Sequence, residues 1–297
     1  MNIKILSVFF VISVSFSISH SADIKRSQFG SNQASKRHAQ LELKSLSEEQ
    51  AGIFLKAATD SLFLNDFGVA ISFVHRPFSS NIQISYKGFM FGTQNDSGIY
   101  KRLVLIDDQQ RLLADFIFHK GDVTAAWKYN PDSGQFDSLS LLQLQKPIVG
   151  EIVFRPIDLL MPYMQWGEYD YVGPDIIGIN TLVQKFHFIN SEDETMNMGF
   201  GDSVELLIDS KFKAIRRIGY LSEEQLEKEL SAAGFKKIRG VWFVSRLVFK
   251  DLIKSESSIL RILDRLENFE NKSDGFFDPM KAKAFDLSGL KEDGYLF

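Results

Sequence analysis

Short runs in which hydrophobic and polar residues alternate make up most of the chain from about residue 68 onward. The run 82–87, for example, reads IQISYK, so that isoleucine and tyrosine alternate with glutamine, serine and lysine. A two-residue period of this kind predicts a β-strand with one buried face. Brief polar turns such as 107–110 and 120–122 separate the runs. Links this short join antiparallel neighbours, because a parallel pair needs a crossover of about a dozen residues or more.

About eleven strands are predicted in this way, and they form one meandering antiparallel sheet in a mainly β (α+β) protein. These strands are drawn from thirteen strand-like runs, at 68–75, 81–90, 99–106, 111–119, 123–129, 150–154, 169–173, 181–189, 203–208, 214–220, 236–238, 241–251 and 258–263. Several runs are apolar on both faces; in 241–251, Trp242 and Val244 lie on one face and Phe243 and Leu247 on the other. Such strands must be covered on both faces or lie in a strongly curved sheet.

Two helices are predicted from capping boxes, in which a serine hydroxyl and a side chain three residues later each bond a backbone N–H of the first turn. The first capping box, at 47–50, begins a helix that runs to about Phe63, with an apolar stripe that includes Phe54. The second, at 222–225, begins a short helix over 223–232. An apolar segment at 156–164 is a further candidate cover for the sheet.

So few helical segments cannot cover one whole face of a large curved sheet, and this shortage predicts an apolar cavity. The alternative is a β-sandwich, in which the two halves of the sheet pack on each other and leave no cavity. The predicted cavity-lining or lid residues, to which no catalytic role is given, are Phe54, Phe154, Ile157, Leu160, Met161 and Met164.

The first residues have the pattern of an export signal. Residues 1–21 contain a short basic start, an apolar stretch and small residues at Ser19 and Ser21, which predicts cleavage before Ala22 and a periplasmic location. Polar residues 22–45 predict a flexible tether. One folded domain is expected over 46–267, followed by a C-terminal extension over 268–297.

Charge and side-chain chemistry narrow the function further. The formal net charge is −4, and it becomes one unit more negative when Lys4 leaves with the signal, which disfavours a nucleic-acid partner. The chain has no cysteine, so neither a lipid-modified cysteine nor a disulfide is expected. No pair of histidines stands at a metal-ligand spacing, and no nucleophile elbow, P-loop or dinucleotide-binding glycine motif occurs. The sequence therefore predicts a protein that is not an enzyme and that holds no metal or cofactor.

Three segments in the second half of the chain form a recognisable series. They are PYMQWGEYDYVGP at 162–174, VELLIDSKFKAIRRIGY at 204–220 and FKKIRGVWFVSRLVFKD at 235–251. The series resembles that of the periplasmic outer-membrane lipoprotein-sorting proteins, the LolA-like superfamily, and the likeness extends over about 47–267. It implies a LolA-like lipid-binding domain over 46–267. It also implies an incomplete β-barrel, in which helices cover the open side of a curved sheet around an apolar cavity for acyl chains.

The function implied by this resemblance is that of a periplasmic carrier or sensor for an acyl chain of a lipoprotein, a lipid or another amphiphile. Outer-membrane lipoprotein sorting is one such role, and a monomer with a transient partner protein at the inner or outer membrane is expected. An integral outer-membrane β-barrel is the alternative, suggested by the alternating strands and by Phe297 at the end of the chain, although 287–294 is charged and broken by glycine. Trp242, after a tight turn at 239–240, is expected to anchor the sheet.

Overall fold

The structure, a computed structural model, describes residues 44–60, 66–77, 83–165, 168–189, 201–238, 241–266 and 275–287. The predicted signal peptide, nearly all of the predicted tether, the turn at 239–240 and the side chain of Trp242 lie outside the described residues. Within the described ranges, no helix combines the length and the apolar character that a membrane crossing requires.

Short helices and many strands make up the described part of the chain. The helices are α1 (Glu48–Asp60), α2 (Leu141–Leu144), α3 (Pro156–Leu160) and a 3-10 helix at Pro162–Gln165. The strands are β1 (Phe67–Arg76), β2 (Ile84–Asn95), β3 (Gly98–Ile106), β4 (Leu112–Lys120), β5 (Ala125–Asn130), β6 (Gln135–Ser138), β7 (Tyr169–Ile177), β8 (Thr181–Ile189), β9 (Ser203–Asp209), β10 (Ile215–Ser222), β11 (Gln225–Ala232), β12 (Phe235–Ile238), β13 (Val241–Val244), β14 (Arg246–Asp251) and β15 (Glu256–Arg265).

Thirteen of these strands form one antiparallel sheet, in the order β6-β5-β4-β3-β2-β1-β15-β14-β11-β10-β9-β8-β7, and β12 and β13 form a separate hairpin. The described strands leave the sheet open between its edge strands β6 and β7. The prediction of a large curved antiparallel sheet with few helices is confirmed, with thirteen strands in the main sheet instead of about eleven. The strand order does not test the β-sandwich alternative, in which the two halves of the sheet pack on each other without a cavity, and that alternative stays a prediction.

The first predicted helix begins where its capping box places it. The backbone N–H of Gln50 donates to Ser47 Oγ at 3.3 Å, and the N–H of Ser47 donates to the Gln50 side-chain carbonyl at 3.1 Å. Both groups would otherwise be among the unsatisfied N–H groups of a helix start. Helix α1 is described to Asp60, and the last predicted residues of the helix lie outside the described ranges.

The second predicted helix, at 223–232, is wrong. Ser222 pairs with Gln225 across a two-residue turn, and both turn residues, Glu223 and Glu224, have positive φ angles of 48° and 63°. The residues that follow form β11, which is hydrogen-bonded to β10 on one side and to β14 on the other. Pairing on both edges satisfies the backbone of this segment as a helix would, and it outweighs the local capping motif.

Two predicted strands also differ from the structure. The run 150–154 forms a turn and bends, and the N–H of Ile148 bonds across it to the carbonyl of Phe154 at 3.0 Å. The run 241–251 is divided at Ser245, whose N–H donates to the carbonyl of Gly234 at 2.8 Å. This bend directs the β12–β13 hairpin out of the main sheet, and Phe243 of the hairpin is buried in the larger core.

Each face of the main sheet carries an apolar core. The larger core joins side chains from distant strands, such as Phe73 of β1 and Phe186 of β8, to α1 and α3, and we call this side the inner face. The smaller core lies on the outer face of β1–β3, around Phe89, Phe91 and Val104. Residues 275–287, which we call the C-terminal strap, pack against this outer core. The cavity was predicted between the sheet and the helices that cover it. Since α1 and α3 lie on the inner face, that face is the side on which the cavity was expected.

Candidate functional site

A long connection between two strands that are consecutive in sequence crosses the inner face. Strand β6 ends at Ser138 and β7 begins at Tyr169, yet β6 and β7 are the two edge strands of the sheet. The connection contacts strands far apart in the sheet, because Leu159 bonds to β3 and Tyr163 lies beside Tyr220 of β10. Its helix α3 is buried in the inner core, which places the crossing on the inner face. We call residues 139–165 the cover segment.

Short capped helices shape the cover segment. The N–H of Gln143 donates to Ser140 Oγ at 3.4 Å, and the N–H of Ser140 donates to Gln143 Oε1 at 2.7 Å, which forms a capping box at α2. At α3, Asp158 accepts the N–H of Arg155 at 2.8 Å and also pairs with its guanidinium at 2.8 Å. The helix ends at Met161 in the left-handed conformation, with φ of 46°. These local bonds let a mostly apolar segment keep its backbone satisfied above the sheet.

The predicted lining residues all lie in or against the inner core. Four are buried, with at most 2% of their surface exposed, and they are Phe154, Ile157, Leu160 and Met161. The other two, Phe54 of α1 and Met164 of the cover segment, are partly buried.

Aromatic contacts tie these residues to the sheet. The ring of Phe154 stacks on Phe73 of β1, with centroids 5.4 Å apart, and lies 4.4 Å from the ring of Phe249 of β14. Phe54 stacks on Phe186 of β8 at 6.2 Å. The cover segment and α1 are thus seated on the inner face, and a ligand that reached these side chains would have to displace part of the cover.

A buried lysine of the sheet donates a hydrogen bond to the cover segment. Lys101 of β3 lies on the same face as Leu103 and Leu105, is 4% exposed, and donates from Nζ to the carbonyl oxygen of Leu159 at 3.0 Å. Burial, reinforced by the nearby ammonium of Lys120, lowers the pKa of Lys101 from 10.5 to about 7. Lys101, which joins the sheet to the cover segment, therefore changes between its charged and neutral forms near pH 7.

An ion pair and two tyrosines form a second polar group at α3. Arg155 and Asp158 keep 7% and 4% of their side-chain surfaces exposed, and the Arg155 guanidinium lies 5.8 Å from the ring centroid of Tyr220. Burial raises the pKa of the Tyr163 and Tyr220 hydroxyls well above the usual 10, so both stay neutral. Removing one partner of a buried ion pair costs about 3–5 kcal/mol. The pair therefore fixes the local shape of the cover segment.

A third polar contact holds the loop that precedes α3. The N–H of Val153 donates to Ser258 Oγ at 2.8 Å, and the same oxygen lies 3.0 Å from Nδ1 of His75. His75 of β1 and Ser258 of β15 face each other across the two strands, and both are fully buried. The cover segment is thus bonded to the centre of the sheet as well as to β3.

The sequence analysis did not predict these polar contacts, although the sequence pattern around two of them could have indicated them. Alternation within 99–106 puts Lys101 on the same side as Leu103, and the capping motif at α2 has the S-x-x-Q form. The contact of His75 with Ser258 joins residues 183 positions apart, and a local pattern cannot report it. Such contacts become visible only once the strand order is known.

Proteins of known structure have a similar overall fold. A DUF1329-family protein from Desulfovibrio piger matches with a TM-score of 0.63 and 10% identity, over 76% of this chain and 95% of its own. An outer-membrane lipoprotein-sorting protein domain from Vibrio parahaemolyticus matches with a TM-score of 0.61 and 12% identity, over 76% and 94%. A LolA superfamily protein from Nitrosomonas europaea matches with a TM-score of 0.55 and 15% identity, over 76% and 96%. The chain has a LolA-like fold.

Identities this low establish the LolA-like fold and nothing finer. No protein-family model matches the sequence, and no curated protein matches it either. The segments that carry the sequence resemblance form structural elements. The segment 162–174 includes the 3-10 helix and the first part of β7, 204–220 forms most of β9 and β10, and 235–251 forms the separate β12–β13 hairpin and β14. The resemblance therefore predicts architecture and supplies no reactive group.

Proposed function

We propose that this protein is a periplasmic, non-catalytic carrier or sensor that binds an acyl chain of a lipoprotein, a lipid or another amphiphile against the inner face of its sheet. The predicted signal at 1–21 supports the location. The LolA-like fold supports the ligand class, because two of the matching structures are a lipoprotein-sorting domain and a LolA superfamily protein. Outer-membrane lipoprotein sorting, with a transient partner at either membrane, is the role that fits this fold most closely.

The crossing of the inner face by the cover segment is the observation that carries the proposal. Neither α1 nor the cover segment contributes a strand to the main sheet, so both can move without breaking a backbone ladder. Apolar contacts and the polar contacts of Lys101 and Ser258 hold the cover in place, and the Arg155 guanidinium lies over the ring of Tyr220 of β10. An acyl chain can replace those apolar contacts with its own.

The energetics of chain burial are sufficient for such binding. Each methylene removed from water contributes about 0.8 kcal/mol. A dozen methylenes therefore contribute about 10 kcal/mol, which is comparable with the 4–15 kcal/mol or so that association costs in lost freedom of motion. At the low end of that cost the surplus is about 6 kcal/mol, which corresponds to a dissociation constant of some tens of micromolar. Because the contacts of the cover must also be broken, we expect reversible binding in that range or weaker for a chain of this length.

A switchable disulfide across the cover tests the proposal. The chain has no cysteine, so the paired substitution Val153→Cys and Ser258→Cys introduces a single bridge. The backbone N–H of Val153 lies 2.8 Å from Ser258 Oγ, so the two residues are neighbours at a contact between the cover and the sheet that the bridge would fix. We expect the oxidised form to lose saturable uptake of a hydrophobic fluorescent probe and the reduced form of the same variant to regain it.

Wild-type protein with and without reductant is the control, since it should take up the probe equally in both conditions. Equal uptake by the oxidised and reduced variant would show that the cover does not have to move. A delipidated, folded wild-type protein without saturable uptake would contradict the carrier proposal as a whole.

A further inference from the structure

One buried nitrogen on the inner face lacks a hydrogen-bond partner among the described residues. It is Nε2 of His75, in a side chain that is fully buried. His75 lies on the same face of β1 as Ile71 and Phe73, both of which belong to the inner core. Native proteins seldom keep an unpaired buried polar atom without a reason, and an absent binding partner is one such reason.

The bonds around Ser258 bear on which ring nitrogen of His75 carries a proton. Ser258 Oγ accepts the N–H of Val153 at 2.8 Å and lies 3.0 Å from His75 Nδ1. A serine hydroxyl has one proton to donate and can accept two bonds, so it can either donate to Nδ1 or accept from it. In the arrangement in which the Ser258 proton is donated to Nδ1, the ring proton lies on Nε2. The group that pairs with Nε2 in that arrangement is an acceptor.

The surroundings favour a neutral acceptor over a charged one. Phe73, two residues before His75, stacks on Phe154, which in turn contacts Phe249. An ionised carboxylate loses far more hydration among such rings than a neutral carbonyl does. An ester or amide carbonyl is the neutral acceptor that an acylated lipid or a lipoprotein carries at the head of its chain.

We propose that Nε2 of His75 donates a hydrogen bond to the ester or amide carbonyl oxygen at the head of a bound acyl chain. This inference rests on the proposed function and specifies its ligand class, an esterified or amidated chain in place of a bare hydrocarbon. Ser258 also holds Val153 of the cover segment, so the carbonyl extends a series of hydrogen bonds that runs from the ligand to the cover. The head of the ligand thus lies near residues 148–154 and its tail among the aromatic rings.

The substitution His75→Phe tests the proposal, because it keeps a ring of similar size and removes both nitrogens. Binding is measured as displacement of a hydrophobic fluorescent probe by methyl laurate and by dodecane, which share the alkyl chain and differ in the ester. We expect wild-type protein to prefer the ester by about tenfold, equivalent to about 1.4 kcal/mol. The variant should bind both compounds equally.

The matched control is His187→Phe. Nε2 of His187 is also buried without a partner, but His187 alternates along β8 with Phe186 and Phe188 of the inner core and so lies on the opposite face. This variant should keep the tenfold preference. Loss of the preference in the His187 variant would assign the effect to general destabilisation and overturn the role of His75.

A second measurement on wild-type protein avoids any dependence on the folding of the variant. The ¹⁵N resonance of His75 Nε2 should shift when methyl laurate binds and should stay in place when dodecane binds. Probe binding without an ester preference, or ester binding without this shift, would overturn the inference and leave the carrier proposal intact. Absence of probe binding altogether would overturn both.

Discussion

At the scale of single residues, the inner face combines apolar packing with buried polar contacts whose partners lie far away in sequence. Lys101 is the clearest case, because its acceptor, the carbonyl of Leu159, is 58 residues away. The alternation of 99–106 is enough to place Lys101 on the buried side of its strand. It cannot identify the acceptor, since the cover segment reaches Lys101 only through the topology of the whole sheet.

Replacing Lys101 with methionine should change how stability depends on pH. Below about pH 7 the lysine is charged in both the folded and the unfolded states, and the full penalty of burying its charge is present. Because the folded-state pKa is lowered to about 7, the unfolded state binds more protons between pH 7 and about 10, and this penalty disappears as pH rises through that window. Lys101→Met should therefore gain stability relative to wild type at pH 6 and lose that advantage by pH 9.5.

The expected change in the stability difference is of order 4 kcal/mol at most, from about 1.4 kcal/mol per pKa unit. Urea denaturation at the two pH values measures it. Lys146→Met is the matched control, because Lys146 is an exposed lysine of the cover segment and should show no such trend. A stability difference for Lys101→Met that stays constant with pH would show that its ammonium is not buried.

At the scale of elements, strict alternation predicts strands closely, and the predicted run 181–189 is the strand β8 to the residue. A motif that occurs both at helix starts and in hairpin turns is less informative about which of the two forms. The S-E-E-Q motif begins α1 at Ser47 but closes the β10–β11 hairpin at Ser222. After Ser222, leucines at 226 and 230 fit both a helical and a two-residue period. The neighbouring strands β10 and β14 decide between them, and a local pattern does not contain that information.

The double substitution Glu223→Asn and Glu224→Gly should stabilise the protein. Both residues have positive φ angles, 48° and 63°, which asparagine and glycine adopt with less strain in a two-residue hairpin turn. We expect the free energy of unfolding to rise by about 1 kcal/mol. In a helix at 223–232 the same glycine would lower it by about 1 kcal/mol. The sign of the change in urea denaturation therefore distinguishes the hairpin from the helix.

At the scale of the whole molecule, the two faces of the sheet carry different covers. The inner face lies under α1 and the cover segment, whereas the outer core lies under the C-terminal strap. Arg102 pairs with Asp115 at 2.6 Å and donates to the carbonyls of Phe276 and Lys283 at 3.0 and 2.6 Å. Asp115 in turn accepts the N–H of Phe285 at 3.0 Å. The sequence predicted an extension at this end of the chain, and the strap packs as part of the fold.

Shortening Phe285 should loosen the strap without affecting the inner face. Its ring is 7% exposed and stacks on Phe91 at 5.2 Å and Phe89 at 6.2 Å. Phe285→Ala should lower the free energy of unfolding by about 3–4 kcal/mol. Hydrogen exchange should accelerate in 275–287, and binding of a hydrophobic probe should not change.

Phe277→Ala is the matched control for the strap. Because Phe277 is only partly buried, this substitution should lower the free energy of unfolding by less than Phe285→Ala does. A loss of probe binding in the Phe285 variant would place the ligand on the outer face. Unchanged exchange in 275–287 would show that Phe285 does not hold the strap.

The central claim is that an acyl chain binds on the inner face, and photo-cross-linking with an acyl ester that carries a diazirine along its chain tests it most directly. Mass spectrometry of the labelled peptides should place the cross-links on inner-face residues such as Phe154, Ile157 and Met161, and excess unlabelled ester should suppress them. Cross-links on outer-face residues such as Phe89 and Phe91, or labelling that the unlabelled ester does not suppress, would contradict binding on the inner face.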